Sequence, residues 1–342
     1  MTRLRILALM HPTLVPPDSL EGRAPEEINA WKTEYDIVTT LRELGHEVRP
    51  LGVYDELAPI RAAIEEWKPH VVFNLLEEFQ GQVVFDHHLV SYLELLGVPY
   101  TGCRPRGLVI ARDKALSKKI ALYHRIRAPG FTVFPSGRKA RRPARLSYPL
   151  IVKSLTEHAS LGISQNSLVE TDEELAKRVA FIHDRLATDA IVEEYIEGRE
   201  LYVAVLGNRR LQALPVWELT FDSLPSSHAA IATERVKHDL KYQEKWGIHQ
   251  RPATDLPPTV TQGLHHTSKR IYRALELDGY ARIDFRLAAD GRFYFLEANP
   301  NPEIAQSEEF AQSARVAGLT YPRLLERIVR LGLSRHRARG EG

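Results

Sequence analysis

The hydrophobic positions of the first hundred residues alternate between short apolar runs and helix-like spacing. The run "LRILALM" is typical of a buried strand, and apolar side chains at helical spacing follow it before Gly45 can end the helix. These side chains are Ile28, Trp31, Tyr35, Val38 and Leu41. The alternation continues through "HVVFNLL" and "VVFDHHLVSYLELLG". It predicts an α/β domain over residues 1–104, with helices packed on the faces of a parallel sheet.

Two further domains are expected after a boundary rich in Gly, Pro and charge at "YTGCRPRG". The helix of "DKALSKKIALYHR" and the strand "YPLIVKS" predict a second, smaller α/β unit over residues 105–188. The segment "AIVEEYIEGRELYVAVLGN" is typical of two strands around a glycine-containing turn. It opens a third domain, with a mixed or antiparallel sheet, over residues 189–333. The polar tail at residues 334–342 is expected to be disordered.

The segment "ARIDFRLAADGRFYFLEANP" predicts a β-hairpin whose two faces differ in polarity. Asp290-Gly291 is the dipeptide expected in a two-residue turn. If Ala289 and Arg292 flank that turn, Asp284 lies opposite Glu297 and Arg282 lies opposite Asn299, all on one face. The apolar face then carries Ile283, Phe285, Leu287, Tyr294 and Leu296.

Two opposed carboxylates on this hairpin suggest a bound cation. Directly opposed side chains have Cβ atoms roughly 5 Å apart, and like charges at that distance are destabilising. Asp284, Glu297 and the amide oxygen of Asn299 are hard ligands of the kind that Mg²⁺ takes when it also holds phosphates. We therefore expect one or two magnesium ions here, with Arg282 close to an anionic group. An alternative interpretation is a charged exposed face with cross-strand ion pairs.

Composition narrows the function classes. The chain has 342 residues, 44% hydrophobic and 26% charged, as in an ordinary soluble protein with a large core. A net charge of +2 gives no reason to expect binding to nucleic acid or to an anionic membrane. The single cysteine, Cys103, excludes an internal disulfide, so a cytoplasmic location is expected. No apolar run approaches the length of a membrane span, and the dinucleotide fingerprint is absent from the first β-α unit.

Taken together, these motifs resemble the ATP-grasp enzymes, and within them the D-alanine–D-alanine ligase group. In that family the pattern R-x-D, a glycine turn and E-x-N form the metal and triphosphate site, which here is Arg282, Asp284, Glu297 and Asn299. The resemblance covers nearly the whole chain. It implies a Rossmann-like first domain, a central subdomain with a phosphate-covering loop, and a C-terminal subdomain with the metal site. It also implies ATP and Mg²⁺, with two ions bound and Mn²⁺ as a substitute.

The resemblance extends to individual nucleotide contacts. It implies that Lys114 and Lys153 contact phosphates, with Ser160 and Gly162 in the phosphate-covering loop. Lys237 is expected near the phosphates and the second substrate, with Lys241 as the competing candidate. The segment "VEEYIEGRE" resembles the strand that grips adenine and ribose. Its contact residues would be Glu193, Glu194, Tyr195, Ile196 and Glu200.

Departures from the family pattern fall on the substrate side. Glu77 and Glu78 stand where D-alanine ligases have a histidine-glycine pair, and Glu303 replaces a glycine whose N–H helps stabilise the oxyanion. Ala159 replaces a serine that helps hold the first substrate. The expected substrate therefore differs from D-alanine, with Glu77, Glu78 and Glu303 as candidate contacts. Further candidates for contacting a substrate amine are Glu26, Glu27 and Glu34.

The implied activity is ATP-dependent joining of a carboxylate to an amine through an acylphosphate, with release of ADP and phosphate. Arg282 and Lys237 are the expected catalytic side chains. The expected partners are small amino-acid or peptide substrates and a second copy of the chain in a homodimer. Two alternatives stay open. One is a regulatory or peptide-binding module that binds nucleotide without turnover, and the other is a ligase that adds amino acids to a peptide or protein terminus.

Overall fold

The computed structural model describes residues 3–157, 160–225 and 228–340, with the backbone alone described at 25, 26, 238 and 337–340. Ala159 and the side chain of Glu26 therefore lie outside the described part of the chain. Among the described helices, none is long and apolar enough to cross a membrane.

The N-terminal part is a parallel sheet flanked by helices. Its elements are β1 (Arg5–Met10), α1 (Pro25–Glu43), β2 (Glu47–Gly52), α2 (Ala58–Trp67), β3 (Val71–Asn74), α3 (Asp86–Leu95), α4 (Pro105–Arg112) and α5 (Lys114–Tyr123). The strand order is β2-β1-β3. Every side chain of β1 from Ile6 to Met10 is buried, because helices cover both faces of this parallel strand.

The middle part is an antiparallel sheet with its own hydrophobic core. Its elements are β4 (Phe131–Phe134), β5 (Leu150–Ser154), β6 (Leu168–Val169), α6 (Asp172–Leu186) and β7 (Ala190–Glu194). The strand order is β4-β7-β5-β6. Leu150, Val152 and Val192 of the sheet pack against Leu175 and Val179 of α6. This core is separate from the core that the first and third sheets share.

The C-terminal part is built on a larger antiparallel sheet. Its elements are β8 (Arg199–Leu206), β9 (Gln212–Ala213), β10 (Trp217–Phe221), α7 (Glu234–His238), α8 (Leu240–Trp246), β11 (Ile248–Pro252), α9 (Pro258–Ala274), β12 (Tyr280–Leu287), β13 (Phe293–Pro300), α10 (Glu309–Val316) and α11 (Tyr321–Gly340). The order is β11-β10-β8-β12-β13, with β9 on β8. Leu7 and Leu9 of β1 share a core with Val203, Ile283 and Phe285.

The chain crosses from the middle sheet to the C-terminal sheet between β7 and β8. The two strands belong to different sheets. The sequence had placed both strands in a third domain that begins at residue 189. That expectation is wrong for residues 190–194, which pair with strands of the middle sheet. Gly198 sits at the crossing with φ +145°, and a Cβ there would lie 2.0 Å from the carbonyl oxygen of Leu287. Only glycine fits this close approach.

The hairpin of β12 and β13 has the expected register at its polar residues but a different turn. Ala288 N–H donates to Arg292 O at 2.9 Å, so the loop has three residues, with Gly291 at φ +80°. A β-bulge between Asp284 and Phe285 makes Leu296 the extra residue. The bulge cancels the shift of one residue from the turn, and Asp284 still pairs with Glu297 and Arg282 with Asn299.

The bulge also changes which side chains face the core. Phe293 and Phe295 pack with Phe285 in the core, where the two-residue turn had placed Tyr294 and Leu296. That assignment is wrong for the outer strand because the longer loop shifts its alternation by one residue.

The chain is helical to Gly340, so the prediction of a disordered tail from residue 334 is wrong through that residue; residues 341–342 lie outside the described range. Arg335 explains the order of the helix end. Its guanidinium donates to the carbonyl oxygens of Tyr100 at 2.8 Å and Gly102 at 2.6 Å, and it pairs with Asp278. The helix end is thereby held against the N-terminal part.

Arg335→Ala should lower the free energy of unfolding by about 1–3 kcal/mol, because it removes charge-assisted hydrogen bonds to groups that stay buried. Arg330→Ala, at an exposed position of the same helix, should change it by less than about 0.5 kcal/mol. Urea denaturation of both variants measures the difference. Equal stability would show that the Arg335 contacts do not anchor the helix.

Candidate active site

A cleft lies between the middle and C-terminal sheets. It collects most of the nucleotide and metal residues expected from the sequence. Those that line it are Lys153, Ser160, Glu193, Glu194, Tyr195, Ile196, Glu200, Lys237, Asp284 and Glu297. They come from β5, β7, β8, α7, β12 and β13 and from the segments that follow β5 and β7, so the cleft exists only when the two sheets are packed together.

Sequence reasoning missed several side chains of the cleft. These are Ile151, Ile163, Ile231, Ala232, Arg286 and Leu296. Arg286 lies two residues after Asp284 on β12, and this strand periodicity could have identified it as a residue of the site. It pairs with Glu200 at 3.2 Å, and Glu200 also accepts from the hydroxyl of Tyr202 at 3.0 Å. The isoleucines carried no signal, because an apolar residue of a pocket wall has the same pattern as one of the core.

A buried carboxylate between two lysines forms the back of the cleft. Glu193 is 1% exposed and lies 2.9 Å from Lys118 Nζ and 3.1 Å from Lys153 Nζ. Burial alone would raise the pKa of Glu193, but the two lysines outweigh it and lower the pKa. For Lys118 the balance is opposite, since burial outweighs Glu193 and lowers its pKa. Lys118 was missed, although it lies four residues after Lys114 on α5.

Lys114 lies at the edge of this lysine group rather than among the side chains that line the cleft. Asp113 caps α5 by accepting from Leu116 N–H at 2.8 Å, which places Lys114 in the first helical turn. Its ammonium donates to Glu157 O and lies 3.8 Å from Glu297 Oε2. Burial lowers the pKa of Lys114 to about 8, and Glu297 opposes that shift.

The expected metal ligands lie together on β12 and β13. Asp284 and Glu297 line the cleft, and Asn299 donates its side-chain N–H to Asp284 at 2.9 Å. Arg282 binds Asp284 through two hydrogen bonds of 2.8 and 2.9 Å and also pairs with Glu309. Burial raises the pKa of Asp284 to about 6, against the effect of Arg282.

These oxygens fit a magnesium ion that shares its coordination with phosphate. No group of three or more His, Cys, Asp and Glu side chains in the described ranges has the arrangement of a metal site. Mg²⁺ is commonly held by one or two carboxylates together with phosphate oxygens and water. Asp284 and Glu297 supply the carboxylates, and the hydrogen bond of Asn299 leaves its amide oxygen for a further contact. The buried Asp284 carboxylate would be stabilised by such a cation.

The loop expected to cover the phosphates contributes one residue to the cleft and another to a neighbouring groove. Ser160 lines the cleft with φ +60°, whereas Gly162 lies on a neighbouring groove and donates its N–H to Glu234 at 3.0 Å. Lys237 lines the cleft, while Lys241 lies in a separate surface groove beside Trp246. The structure thus places Lys237, and not Lys241, at the cleft.

Two of the three expected substrate acids come together outside the cleft. The side chain of Glu77 is exposed at the surface, but neighbouring protein partly desolvates its carboxyl group, and this effect together with the charge of Glu303 raises its pKa to about 7. Burial likewise raises the pKa of Glu34 on α1 to about 7, with contributions from Glu77 and Glu303. Glu78 instead lies 3.6 Å from His11. Glu27 is used elsewhere, accepting from Ala24 N–H at 3.0 Å at the start of α1.

Comparison with known proteins places the chain among ligases. A family model described as D-ala D-ala ligase C-terminus matches residues 119–330. A D-alanine–D-alanine ligase of Desulfotalea psychrophila is 32% identical over 307 residues, covering 87% of this chain and 89% of the relative. An uncharacterized protein of Sinorhizobium fredii is 30% identical over 316 residues, covering 89% and 88% of the two chains.

The fold also agrees with that of a solved ligase. The crystal structure of D-alanine–D-alanine ligase from Bacillus anthracis complexed with ATP superimposes with a TM-score of 0.74. It is 23% identical and covers 98% of this chain and 100% of its own. At that identity the likeness establishes the fold, which is the expected ATP-grasp fold.

Glu34→Gln should stabilise the protein at high pH and leave it unchanged at low pH. The folded state raises the pKa of Glu34 from its usual 4.5 to about 7, so the unfolded state loses this proton first, stability falls between about pH 4.5 and 7, and the full penalty is present above pH 7. The variant should match the parent near pH 4 and exceed it by about 1–3 kcal/mol at pH 8. Thermal unfolding across this pH range measures the effect, with the exposed Glu66→Gln as control. A pH-independent difference would contradict it.

Proposed function

Since the chain belongs to the D-alanine–D-alanine ligase family and is an ATP-dependent ligase, we propose that it joins a carboxylate to an amine other than the D-alanine pair. The carboxylate oxygen attacks the γ-phosphorus of ATP, and ADP leaves. The amine nitrogen of the second substrate then attacks the acylphosphate carbonyl carbon, phosphate leaves, and the amine releases a proton. The cleft that holds Lys153, Glu200, Lys237, Asp284 and Glu297 together carries this proposal.

The nucleotide base fits the apolar end of the cleft. Ile151, Ile163 and Ile196 offer flat apolar surface for adenine. The backbone N–H groups of Glu194 and Tyr195 bond to Gly130 O and Pro149 O at 2.8 and 3.0 Å. The backbone of Ile196 is therefore the hinge contact that we assign to the adenine edge. Glu200, held in orientation by Arg286 and Tyr202, would accept from ribose hydroxyls.

The phosphates fit between the lysines and the carboxylates. Lys153 and Lys114 would neutralise phosphate charge, and Lys237 would contact the transferred group. Asp284, Glu297 and Asn299 would hold Mg²⁺, or Mn²⁺ in its place. When bound, the metal neutralises charge on the phosphate oxygens. The chain contributes position and charge, which is most of what phosphoryl transfer requires.

The substrate side favours a different substrate. Glu77 and Glu303, together with Glu34, create a concentration of negative charge beyond the cleft. A small zwitterionic amino acid brings one ammonium group together with its own carboxylate, so its net charge of zero does not balance three carboxylates. The homodimer and the cytoplasmic location expected from the sequence remain predictions.

An ADP-release assay tests the proposal. Protein, ATP and Mg²⁺ are incubated with pooled amino acids and peptides, and product masses are recorded beside phosphate release. ADP should form only when a carboxylate and an amine are both present, with a condensed product. A mass increase on peptides alone would indicate the ligase that extends a peptide terminus. Nucleotide binding without turnover across the pool would indicate the binding module.

Glu297→Gln should lower kcat by at least ~100-fold, because it removes ligand charge at the metal and phosphate site. The fold should persist, since Glu297 lies on the cleft surface. Steady-state kinetics and thermal unfolding are compared with the exposed Glu244→Gln control. Near-normal turnover of the variant would remove the metal assignment.

A further inference from the structure

Four glutamates, Glu34, Glu77, Glu303 and Glu308, interact electrostatically with one another, and we call this group the acidic recess. It combines α1, the loop after β3 and the segment between β13 and α10. Lys32 lies 3.5 Å from Glu303 and also pairs with Glu308. One lysine thus serves two glutamates, and the recess keeps an excess of negative charge.

Glu34 is the member of the recess that its surroundings do not satisfy. It is 6% exposed. Within the described part of the chain, its carboxylate has no ion pair and no hydrogen bond beyond one to its own backbone. Its charged neighbours in the recess are the like-charged Glu77 and Glu303. A buried carboxylate without a partner destabilises the fold unless something else compensates for it.

A second buried polar group beside Glu34 is also unsatisfied. The hydroxyl of Tyr321 has no hydrogen-bond partner in the residues that the structure describes. Burial raises the pKa of Tyr321, and the charges of Asp36 and Glu34 and the Tyr280 hydroxyl raise it further. The electrostatic interaction with Glu34 shows that this hydroxyl lies near the recess. It is available to a ligand that enters the recess.

The neighbouring cation, Arg282, does not favour the binding of an anion at this site. The charge of Arg282 is matched by Asp284 and by Glu309, two carboxylates for one guanidinium. Lys237 interacts electrostatically with both acids, and Glu309 in turn interacts with Glu308 of the recess. A substrate carboxylate at this point would meet net negative charge. The electrostatics favour a substrate group of positive charge.

We propose that the acidic recess binds a second cationic group on the amine substrate, which is therefore a diamine, a basic amino acid or a peptide end bearing a basic residue. This rests on the proposed ligase function. The amine that attacks must be neutral, because a protonated amine has no lone pair. Its own charge cannot hold the substrate during the reaction, whereas a separate ammonium or guanidinium group keeps its charge and can pair with Glu34 and Glu77.

Matched amines test the proposal with the full-length protein, MgATP and pooled carboxylate donors. The pairs are 1,5-diaminopentane with pentylamine, lysine with norleucine, and Lys-Ala-Ala with norleucine-Ala-Ala. The cationic member should give a kcat/KM at least about tenfold higher, with the condensed product seen by mass spectrometry. The pair with the largest ratio identifies the source of the cation. Equal rates within every pair, or D-alanine as the best amine, would overturn the proposal while leaving the ligase function intact.

Charge-removing variants locate the effect. Glu34→Gln and Glu77→Gln should each raise KM for the cationic amine about tenfold and leave KM for ATP unchanged. Glu66→Gln, which is exposed and distant in sequence, is the matched control. Thermal unfolding shows that the variants are folded. Unchanged discrimination in the double variant would show that the recess does not select the substrate.

Direct binding separates this proposal from the ligase function. If no carboxylate and amine pair supports ADP release, the proposed function fails. Calorimetry with 1,5-diaminopentane and pentylamine then decides the recess alone. Tighter binding of the diamine, lost in Glu34→Gln, supports the cation site, and equal or absent binding of both refutes it.

Discussion

The apposition of Asp284 and Glu297 on neighbouring strands is the constraint on which the site depends. Two carboxylates at that separation repel each other, and burial makes the repulsion stronger. Arg282 binds Asp284, and Lys114 lies near Glu297. The folded chain therefore holds the charge arrangement that, under the proposed function, a divalent cation and a triphosphate would complete. The counter-charges around it come from β12 itself, from α5 and from α10.

Charge compensation also operates around Glu193, where two lysines surround one carboxylate. Glu193 is fully compensated by Lys118 and Lys153, so its carboxylate stays ionised although it is buried. The two ion pairs of Glu193 hold the ammonium groups of Lys118 and Lys153 in place before any nucleotide binds. The acidic recess is the contrasting case, since the buried Glu34 lacks that compensation and its pKa rises to about 7.

The hairpin shows how two local departures preserve one tertiary pairing. The loop at Gly291 is one residue longer than the dipeptide indicated, and the bulge at Leu296 restores the alternation before Glu297. Because these two departures cancel, counting from a two-residue turn still gave the correct polar pairs. The same counting did not identify the core-facing phenylalanines, because no residue type in the sequence indicates a bulge. Leu296 gains a place on the cleft wall through the same bulge.

The sequence by itself determined the alternation of strands and helices, the hairpin pairs and the residue types that suit metal and phosphate, since these depend on local periodicity and side-chain chemistry. Only the tertiary structure decided that β7 and β8 enter different sheets, that Lys237 reaches the cleft while Lys241 does not, and that Glu34 joins Glu77 and Glu303. Each of these results depends on contacts between segments far apart in the chain. Burial and electrostatic coupling arise from such contacts, and no local pattern records them.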